Sequence, residues 1–158
     1  MKLLFITANR IGDAVLSTGI LGSLTEQYPS AETTVVVGPA AASLFRAAPS
    51  VKNLLIVEKQ PLGMHWGHVW RACAGTRWDI VVDLRRSIIA WTLWASRRCI
   101  IPKPTRSIHR VRLLAETIGL PENPPTPRLW TSERDDARAA NFIPDGPPVL
   151  ALAPAANW

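Results

Sequence analysis

Short apolar runs rich in β-branched residues alternate along this chain with longer stretches in which apolar residues recur at helical spacing. Such alternation is typical of a parallel β-sheet with helices on both faces, which is the Rossmann-like α/β arrangement. The pattern predicts strands at residues 2–7, 33–38, 53–58, 79–83 and 99–101. It predicts helices at residues 13–28, 40–47, 63–74, 87–96 and 107–118.

The last quarter of the chain has a different pattern. Four prolines between residues 121 and 127 predict an extended surface connection, because proline restricts its own backbone and that of the preceding residue. Ser132 is a candidate N-cap for a short helix through residue 141, and a second proline-rich break follows at 144–148. Residues 149–154 have the pattern of a buried strand. We therefore predict an amino-terminal Rossmann-like domain at 1–143, then a linker and the first strand of a truncated second α/β domain at 144–158.

Composition limits the size and the partners of the protein. A chain of 158 residues with 47% hydrophobic residues can form one core but is short for two full domains. Its formal net charge of +6 comes mainly from arginines in the second half. This charge favours an anionic partner, such as a phosphorylated sugar, a nucleotide, a nucleic acid or an acidic membrane surface.

The cysteines and histidines favour neither a disulfide nor a metal site. The two cysteines lack CxxC spacing, and the first residues do not resemble a secretory leader, so we expect a cytoplasmic protein. His65 and His68 stand three positions apart near Cys73, but no acidic ligand or CxxC pair accompanies them. No apolar run is long enough to span a bilayer.

The junction between the first predicted strand and helix carries the most informative residues. Arg10, Gly12 and Asp13 stand where open α/β sheets bind ligands, at the carboxyl end of a strand and the positive end of a helix. Asp13 has two interpretations. It is either an N-cap that accepts a backbone hydrogen bond, or a general base that takes a proton from a substrate hydroxyl.

The glycines of this region argue against the common nucleotide-binding motifs. We expect Gly12 to permit a tight turn and close approach to a ligand. We expect Gly19 and Gly22 to permit close packing of the helix against the sheet. Because their spacing is neither GxGxxG nor that of a P-loop, a dinucleotide or P-loop nucleotide is not supported at this turn.

Four segments resemble glycosyltransferase family 9, the lipopolysaccharide heptosyltransferases and their relatives. Residues 10–21, RIGDAVLSTGIL, are similar to the amino-terminal signature of the family. Residues 79–85, DIVVDLR, resemble its fourth strand and the loop after it. Residues 107–120, SIHRVRLLAETIGL, resemble a segment with a histidine, a basic residue, a leucine-rich helix and Gly-Leu. Residues 152–158, LAPAANW, resemble the start of the motif that opens the second domain.

The resemblance implies the amino-terminal half of a GT-B fold, in which two Rossmann-like domains enclose a cleft. In such enzymes the amino-terminal domain holds the acceptor, and the carboxy-terminal domain holds the nucleotide-sugar, usually ADP-heptose. Transfer is inverting and metal-independent, and the aspartate at the position of Asp13 is the proposed catalytic base. The resemblance thus implies no cofactor, an anionic lipopolysaccharide-core glycolipid as acceptor, and no transfer by this fragment without the missing donor domain.

The candidates for binding the acceptor are Arg10, Gly12, Ser17, Arg85, Arg86 and His109. Carboxylates and phosphates of an anionic acceptor suit the forked guanidinium groups of arginine. Arg85 and Arg86 follow the fourth strand on the same edge as Asp13, although solvated loop charge explains them equally well. Ser17 lies one helical turn after Asp13. His109 belongs to the third resembling segment, where a surface histidine at a helix start is the simpler interpretation.

Residues 88–95, IIAWTLWA, form an apolar run with two tryptophans between two pairs of arginines. We interpret this run as a buried helix between two strands. The alternative is a segment that rests on an anionic leaflet, which would bring the protein to the cytoplasmic face of the inner membrane.

Two rival functions stay open beside the transferase. The first is a non-catalytic Rossmann-like module that binds a nucleotide or a sugar phosphate. The second is a nucleic-acid-binding protein, for which aromatic residues should interleave with basic ones on an exposed strand face. The tryptophans fall instead in apolar helical patterns, so we expect no nucleic-acid partner.

Overall fold

The computed structural model describes residues 1–58, 63–104, 107–143, 146 and 148–152. Within these ranges the chain forms a five-stranded sheet in the order β3-β2-β1-β4-β5. The strands are β1 (Lys2–Ile6), β2 (Glu32–Val37), β3 (Val51–Ile56), β4 (Trp78–Asp83) and β5 (Ala95–Ile100). All neighbouring strands run parallel. The predicted Rossmann-like α/β class is confirmed.

Helices cover both faces of this sheet. The helices that pack on it are α1 (Ile11–Gln27), α2 (Ser43–Arg46), α3 (His65–Cys73), α4 (Ile89–Thr92) and α5 (Arg110–Glu116), with a 3-10 turn at Pro39–Ala41 before α2. A further helix, α6 (Glu133–Phe142), buries none of its residues. On one face, Phe5 and Leu21 belong to a core that includes Leu114 of α5. On the other face, Leu4 packs in a core that includes Val69 of α3. Successive side chains of a buried strand point to opposite faces, which is why adjacent residues of β1 serve both cores.

The region between β4 and β5 differs from the prediction. Only Ile89–Thr92 is helical, and β5 begins at Ala95, earlier than predicted. The side chain of Arg98 donates hydrogen bonds to the carbonyl oxygens of Ala90, Leu93 and Ala95. These bonds satisfy acceptors that a longer helix would have used, so the chain can turn into β5 early.

The tryptophans of this region are on the surface, and the interpretation as a buried helix is wrong. The exposed fractions are 72% for Ile88, 68% for Trp91 and 71% for Trp94. Ile89 and Leu93 fill the core in their place. A single turn of helix buries only one side, so apolar residues on its other side stay in solvent.

The proline-rich connection packs along α1, as an irregular surface segment. The backbone N–H of Arg128 donates a hydrogen bond to the Thr18 hydroxyl at 2.9 Å. Gly19 and Gly22 face this segment, and the expectation that they pack on the sheet is wrong. The helix that was predicted after Ser132 is confirmed as α6, with Ser132 and Asp135 forming a capping box.

The described residues near the carboxyl end show no strand. Residues 148–152 are exposed and irregular, although the sequence predicts a strand at 149–154. A strand needs a hydrogen-bonded neighbour, and β3 and β5 at the two sheet edges do not pair with this segment. Residues 153 and 154 of the predicted strand lie outside the described residues, and the boundary at 143 stays a prediction. Among the described residues, no helix is long and apolar enough to cross a membrane.

Candidate active site

A cleft of about 470 Å³ lies at the carboxyl ends of β1 and β4. These strands are direct neighbours in the sheet, so the loops that follow them meet at one edge. The start of α5 and the segment after β5 complete the cleft. Its lining residues are Ala8, Asn9, Arg10, Asp13, Leu84, Arg85, Arg86, Ile101, Pro102, Pro104, Arg110 and Leu113.

Asp13 lines this cleft from the first turn of α1. The helix begins at Ile11 and its N-cap is Arg10, so Asp13 is not an N-cap and that interpretation is wrong. Its side chain is 40% exposed. The amino-terminal end of a helix carries partial positive charge, which attracts a negatively charged group such as this one. The position leaves the Asp13 carboxylate accessible to a ligand in the cleft.

Arg110 contacts Asp13 from the opposite wall. The distance from Arg110 Nε to Asp13 Oδ1 is 3.7 Å, and the Arg110 side chain is 41% exposed. Within the described part of the chain, the Nε atom has no hydrogen-bond partner although it is shielded from solvent. A shielded donor of this kind needs an acceptor, which a bound anion would supply.

The sequence analysis missed Arg110 as a site residue. It lies far from Asp13 in the sequence, and only the packing of α5 on α1 brings the two together. The available signal was the basic position beside His109 in the third segment that resembles family 9.

Arg85 is held in the cleft by two side chains from other elements. Its Nη1 donates a hydrogen bond to Asn9 Oδ1 at 2.8 Å, and its guanidinium carbon lies 4.8 Å from the centre of the Trp66 ring. Burial lowers the pKa of Arg85, and the nearby charge of Asp83 opposes this shift. Arginine remains a cation at neutral pH in proteins. Arg85 is therefore an oriented positive charge rather than a solvated loop residue.

Asp83 fixes the loop that carries Arg85 and Arg86. This buried carboxylate accepts hydrogen bonds from the backbone N–H of Arg85 at 2.8 Å and from the backbone N–H and hydroxyl of Ser87, both at 2.7 Å. Burial raises the pKa of Asp83, while these hydrogen bonds act in the opposite direction. Arg86 has a φ of 55°, in the left-handed region that residues other than glycine seldom adopt. The Asp83 contacts support this strained turn, which directs the loop toward the cleft.

The remaining predicted residues divide into those at the cleft and those away from it. Arg10 and Arg86 are exposed and line the cleft. Gly12 is helical and does not form the expected tight turn, but a Cβ atom there would meet nothing within 4 Å. The space beside Gly12 is thus open to a ligand.

Ser17 and His109 do not belong to the cleft. Ser17 is buried, and its hydroxyl hydrogen-bonds to the Thr7 hydroxyl and to the Ala14 carbonyl oxygen, both at 2.7 Å. The expectation that Ser17 faces an acceptor is therefore wrong. His109 caps α5 through Nδ1, which accepts from the backbone N–H of Val111, and it lines a different surface depression with Arg112 and others.

Two further observations concern other kinds of site. A second cavity of about 550 Å³ lies between β3 and α3, and its walls include His65 and His68 but none of the predicted acceptor-binding residues. In the described ranges, no group of three or more histidine, cysteine, aspartate or glutamate residues is placed to hold a metal ion.

Comparison with known proteins gives matches in structure but not in sequence. No protein-family model matches the chain, and no curated protein matches its sequence. A glycosyl transferase of family 9 from Veillonella parvula is 19% identical over 89% of this chain, with a TM-score of 0.68. ADP-heptose lps heptosyltransferase II of E. coli is 18% identical over 91%, with a TM-score of 0.62. The E. coli heptosyltransferase WaaC with ADP is 16% identical over 93%, with a TM-score of 0.56.

These matches cover most of this chain but only part of each solved structure. They cover 48% of the Veillonella protein, 51% of heptosyltransferase II and 54% of WaaC. At this level of identity the likeness concerns the fold. The chain has the Rossmann-like α/β fold found over about half the length of solved family 9 glycosyltransferase and heptosyltransferase structures.

Proposed function

We propose that this chain is the acceptor-binding half of an inverting, metal-independent glycosyltransferase that transfers heptose from ADP-heptose to a lipopolysaccharide-core acceptor. The observation that carries the proposal is the accessible Asp13 carboxylate in a cleft lined by arginines. Because the chain spans about half the length of the similar structures, transfer is proposed for a protein that also contains a donor-binding half.

Asp13 acts in this proposal as the general base. Its carboxylate accepts the proton of an acceptor hydroxyl while the hydroxyl oxygen forms a bond to the anomeric carbon of the donor sugar. The bond between that carbon and the nucleotide diphosphate breaks on the opposite side, which inverts the anomeric configuration. The base must sit within hydrogen-bond reach of the acceptor, and an exposed carboxylate at a helix start satisfies this need.

The arginines hold the acceptor in this proposal. Arg10, Arg85, Arg86 and Arg110 line the same cleft as Asp13, so its charge is positive overall. A lipopolysaccharide core carries carboxylates and phosphates, which arginine binds with paired hydrogen bonds. The open space beside Gly12 lets the sugar approach the helix backbone closely.

The ligands of similar solved structures support an ADP-linked sugar as the donor. One similar structure contains ADP, and another structure of the same E. coli heptosyltransferase contains ADP-2-deoxy-2-fluoro heptose. The proposed place of action is the cytoplasmic face of the inner membrane, where a lipid-linked acceptor would be available.

The test separates catalysis from binding. Release of ADP from ADP-heptose is followed with core oligosaccharide as acceptor, in a form of the protein that includes a donor-binding half. We expect Asp13→Asn to reduce transfer at least about 100-fold, since a positioned base contributes that much or more. Affinity of the 158-residue chain for the oligosaccharide, measured by calorimetry, should remain within about twofold, because the amide keeps the shape of the carboxylate.

Two results would contradict this function. Full transfer by the Asp13→Asn variant would remove Asp13 from its role as base. Binding of sugar phosphates or nucleotides by the cleft, with no transfer by the wild-type protein, would favour a non-catalytic binding module.

A further inference from the structure

We propose that Ile88, Trp91 and Trp94 form a surface, here called the tryptophan surface, that docks on an anionic phospholipid membrane. All three side chains are at least two-thirds exposed. Single exposed apolar residues are common, but three large ones within seven positions of the chain are an unusual concentration of exposed apolar area, which is typical of an interaction surface. The purpose of such docking rests on the proposed function, because a lipid-linked acceptor would be reached from a membrane. The docking itself is argued from the surface alone.

The backbone of the tryptophan surface is held by hydrogen bonds from other parts of the fold. The guanidinium group of Arg98 donates hydrogen bonds to the carbonyl oxygens of Ala90 at 2.8 Å, Leu93 at 2.7 Å and Ala95 at 3.1 Å. The carbonyl oxygen of Trp94 also accepts from the backbone N–H of Trp78 at 2.9 Å. The fold therefore fixes the backbone positions at which the two indole rings are exposed.

Two arginines lie beside the tryptophan surface. The guanidinium carbon of Arg77 lies 5.6 Å from the centre of the Trp94 ring, and Arg98 donates hydrogen bonds to the backbone carbonyl oxygens of Ala90 and Leu93. Two acidic residues lie on the neighbouring strand β4. Asp83 is buried, and the exposed Asp79 accepts a hydrogen bond from the backbone N–H of Lys2.

This combination fits an anionic lipid surface better than a second copy of the chain. Tryptophan favours the boundary between headgroups and acyl chains, where its ring is in an apolar medium and its N–H is hydrated. Arginines beside it are attracted to anionic headgroups. A symmetric dimer through the same surface would bring the arginines of both copies into one interface, where like charges repel.

Only one end of the tryptophan surface is close to the cleft. Ile88 follows Arg86, which lines the cleft, by two positions. Trp94 directly precedes β5 at the opposite, amino-terminal edge of the sheet, where its carbonyl oxygen accepts from the N–H of Trp78.

The test measures binding of the chain to vesicles by flotation. The vesicles contain either phosphatidylcholine alone or phosphatidylcholine with about one-third phosphatidylglycerol. We expect stronger binding to the anionic vesicles, and a decrease of at least about tenfold for the double variant Trp91→Ser/Trp94→Ser. The control is Phe142→Ser, which removes an aromatic residue that is 74% exposed on α6 and should leave binding unchanged.

A second variant tests the charge. Arg77→Glu keeps both tryptophans. It should weaken binding to the anionic vesicles and leave binding to the phosphatidylcholine vesicles unchanged. The proposal is overturned if the wild-type chain does not bind anionic vesicles, if the double tryptophan variant binds like the wild type, or if sedimentation shows a dimer that the double variant dissociates. Asp13→Asn should bind vesicles like the wild type, so failure of the proposed catalytic role does not decide this question.

Discussion

Gly19 of α1 and Pro125 of the connecting segment are in such close contact that a Cβ atom on Gly19 would lie 2.5 Å from the Pro125 carbonyl oxygen. No real side-chain carbon approaches a backbone oxygen so closely. The same segment is held at Arg128, whose Nη1 lies 2.5 Å from Glu26 Oε1. The absence of a side chain at position 19 thus allows the proline-rich connection to lie directly on the helix.

We expect Gly19→Ala to lower the free energy of unfolding by about 2 kcal/mol, because the new methyl group must displace backbone atoms. The matched control is Gly12→Ala in the same helix, where a Cβ atom meets nothing within 4 Å. Alanine is the better helix former, so this control should gain about 0.5 kcal/mol. Urea denaturation followed by circular dichroism measures both. Equal effects of the two substitutions would show that the contact with Pro125 does not matter.

The hydrophobic pattern was sufficient to predict the sheet but not the path between β4 and β5. Runs such as the one that contains Leu4 and Phe5 are apolar on both faces of the strand. This is typical of a parallel strand with helices packed on both sides. The run around Trp91 is equally apolar, yet part of it is exposed. The difference depends on the hydrogen bonds of Arg98, a side chain whose partners cannot be inferred from periodicity.

The sequence predicts the site residues that follow strands of the sheet, but not the one that reaches the cleft from a helix distant in the sequence. Arg10, Asp13 and Arg85 follow strands that are neighbours in the sheet, so topology alone brings them to one edge. Arg110 reaches the cleft through the packing of α5 on α1, which no local pattern specifies. Ser17 has the right spacing from Asp13, but its position on α1 faces the core.

We expect Ser87→Ala to loosen the loop that carries Arg85 and Arg86. The substitution removes the hydroxyl donor from the buried Asp83 carboxylate and leaves only the backbone donors. The free energy of unfolding should fall by about 1.5–3 kcal/mol, as for other hydrogen bonds to charged groups. Thr92→Ala is the control, since its hydroxyl donates to the Ile89 carbonyl oxygen of the same short helix and not to a buried carboxylate. A loss at Thr92 as large as that at Ser87 would contradict the role of Asp83 in fixing the loop.

We expect Arg110→Ala to affect ligand binding more than stability. Both partners of the Arg110–Asp13 pair are about two-fifths exposed, so solvent screens the interaction. The free energy of unfolding should change by less than about 1 kcal/mol. Affinity for an anionic core oligosaccharide should fall about tenfold, because a positioned charge-assisted donor is lost. Calorimetric titration and urea denaturation measure the two quantities.

Arg112→Ala is the matched control for this prediction. Arg112 is on the same helix and also forms an ion pair, with Glu122 at 3.4 Å, but it does not line the cleft with Asp13. Removing it subtracts the same charge from the protein. Its affinity for the oligosaccharide should stay within about twofold of the wild type. If both variants lose affinity equally, only net charge matters and the cleft has no specific role.

Cys73 should make the stability of the fold depend on pH in the alkaline range. Burial raises the pKa of the Cys73 thiol from 9.0 to about 11. Below pH 9 the thiol is protonated in both folded and unfolded chains, so its contribution is constant. Between pH 9 and about 11 the unfolded chain releases this proton first, and the free energy of unfolding therefore falls as pH rises. The fall due to Cys73 should be at most about 2–3 kcal/mol.

Urea denaturation under reducing conditions, at several pH values from about 8 to about 10.5, should show a smaller decrease for Cys73→Ala than for the wild type. The cavity left by the substitution lowers stability at every pH and does not change this slope. Parallel curves for the two proteins would show that the thiol ionises equally in both states and would contradict the effect of burial.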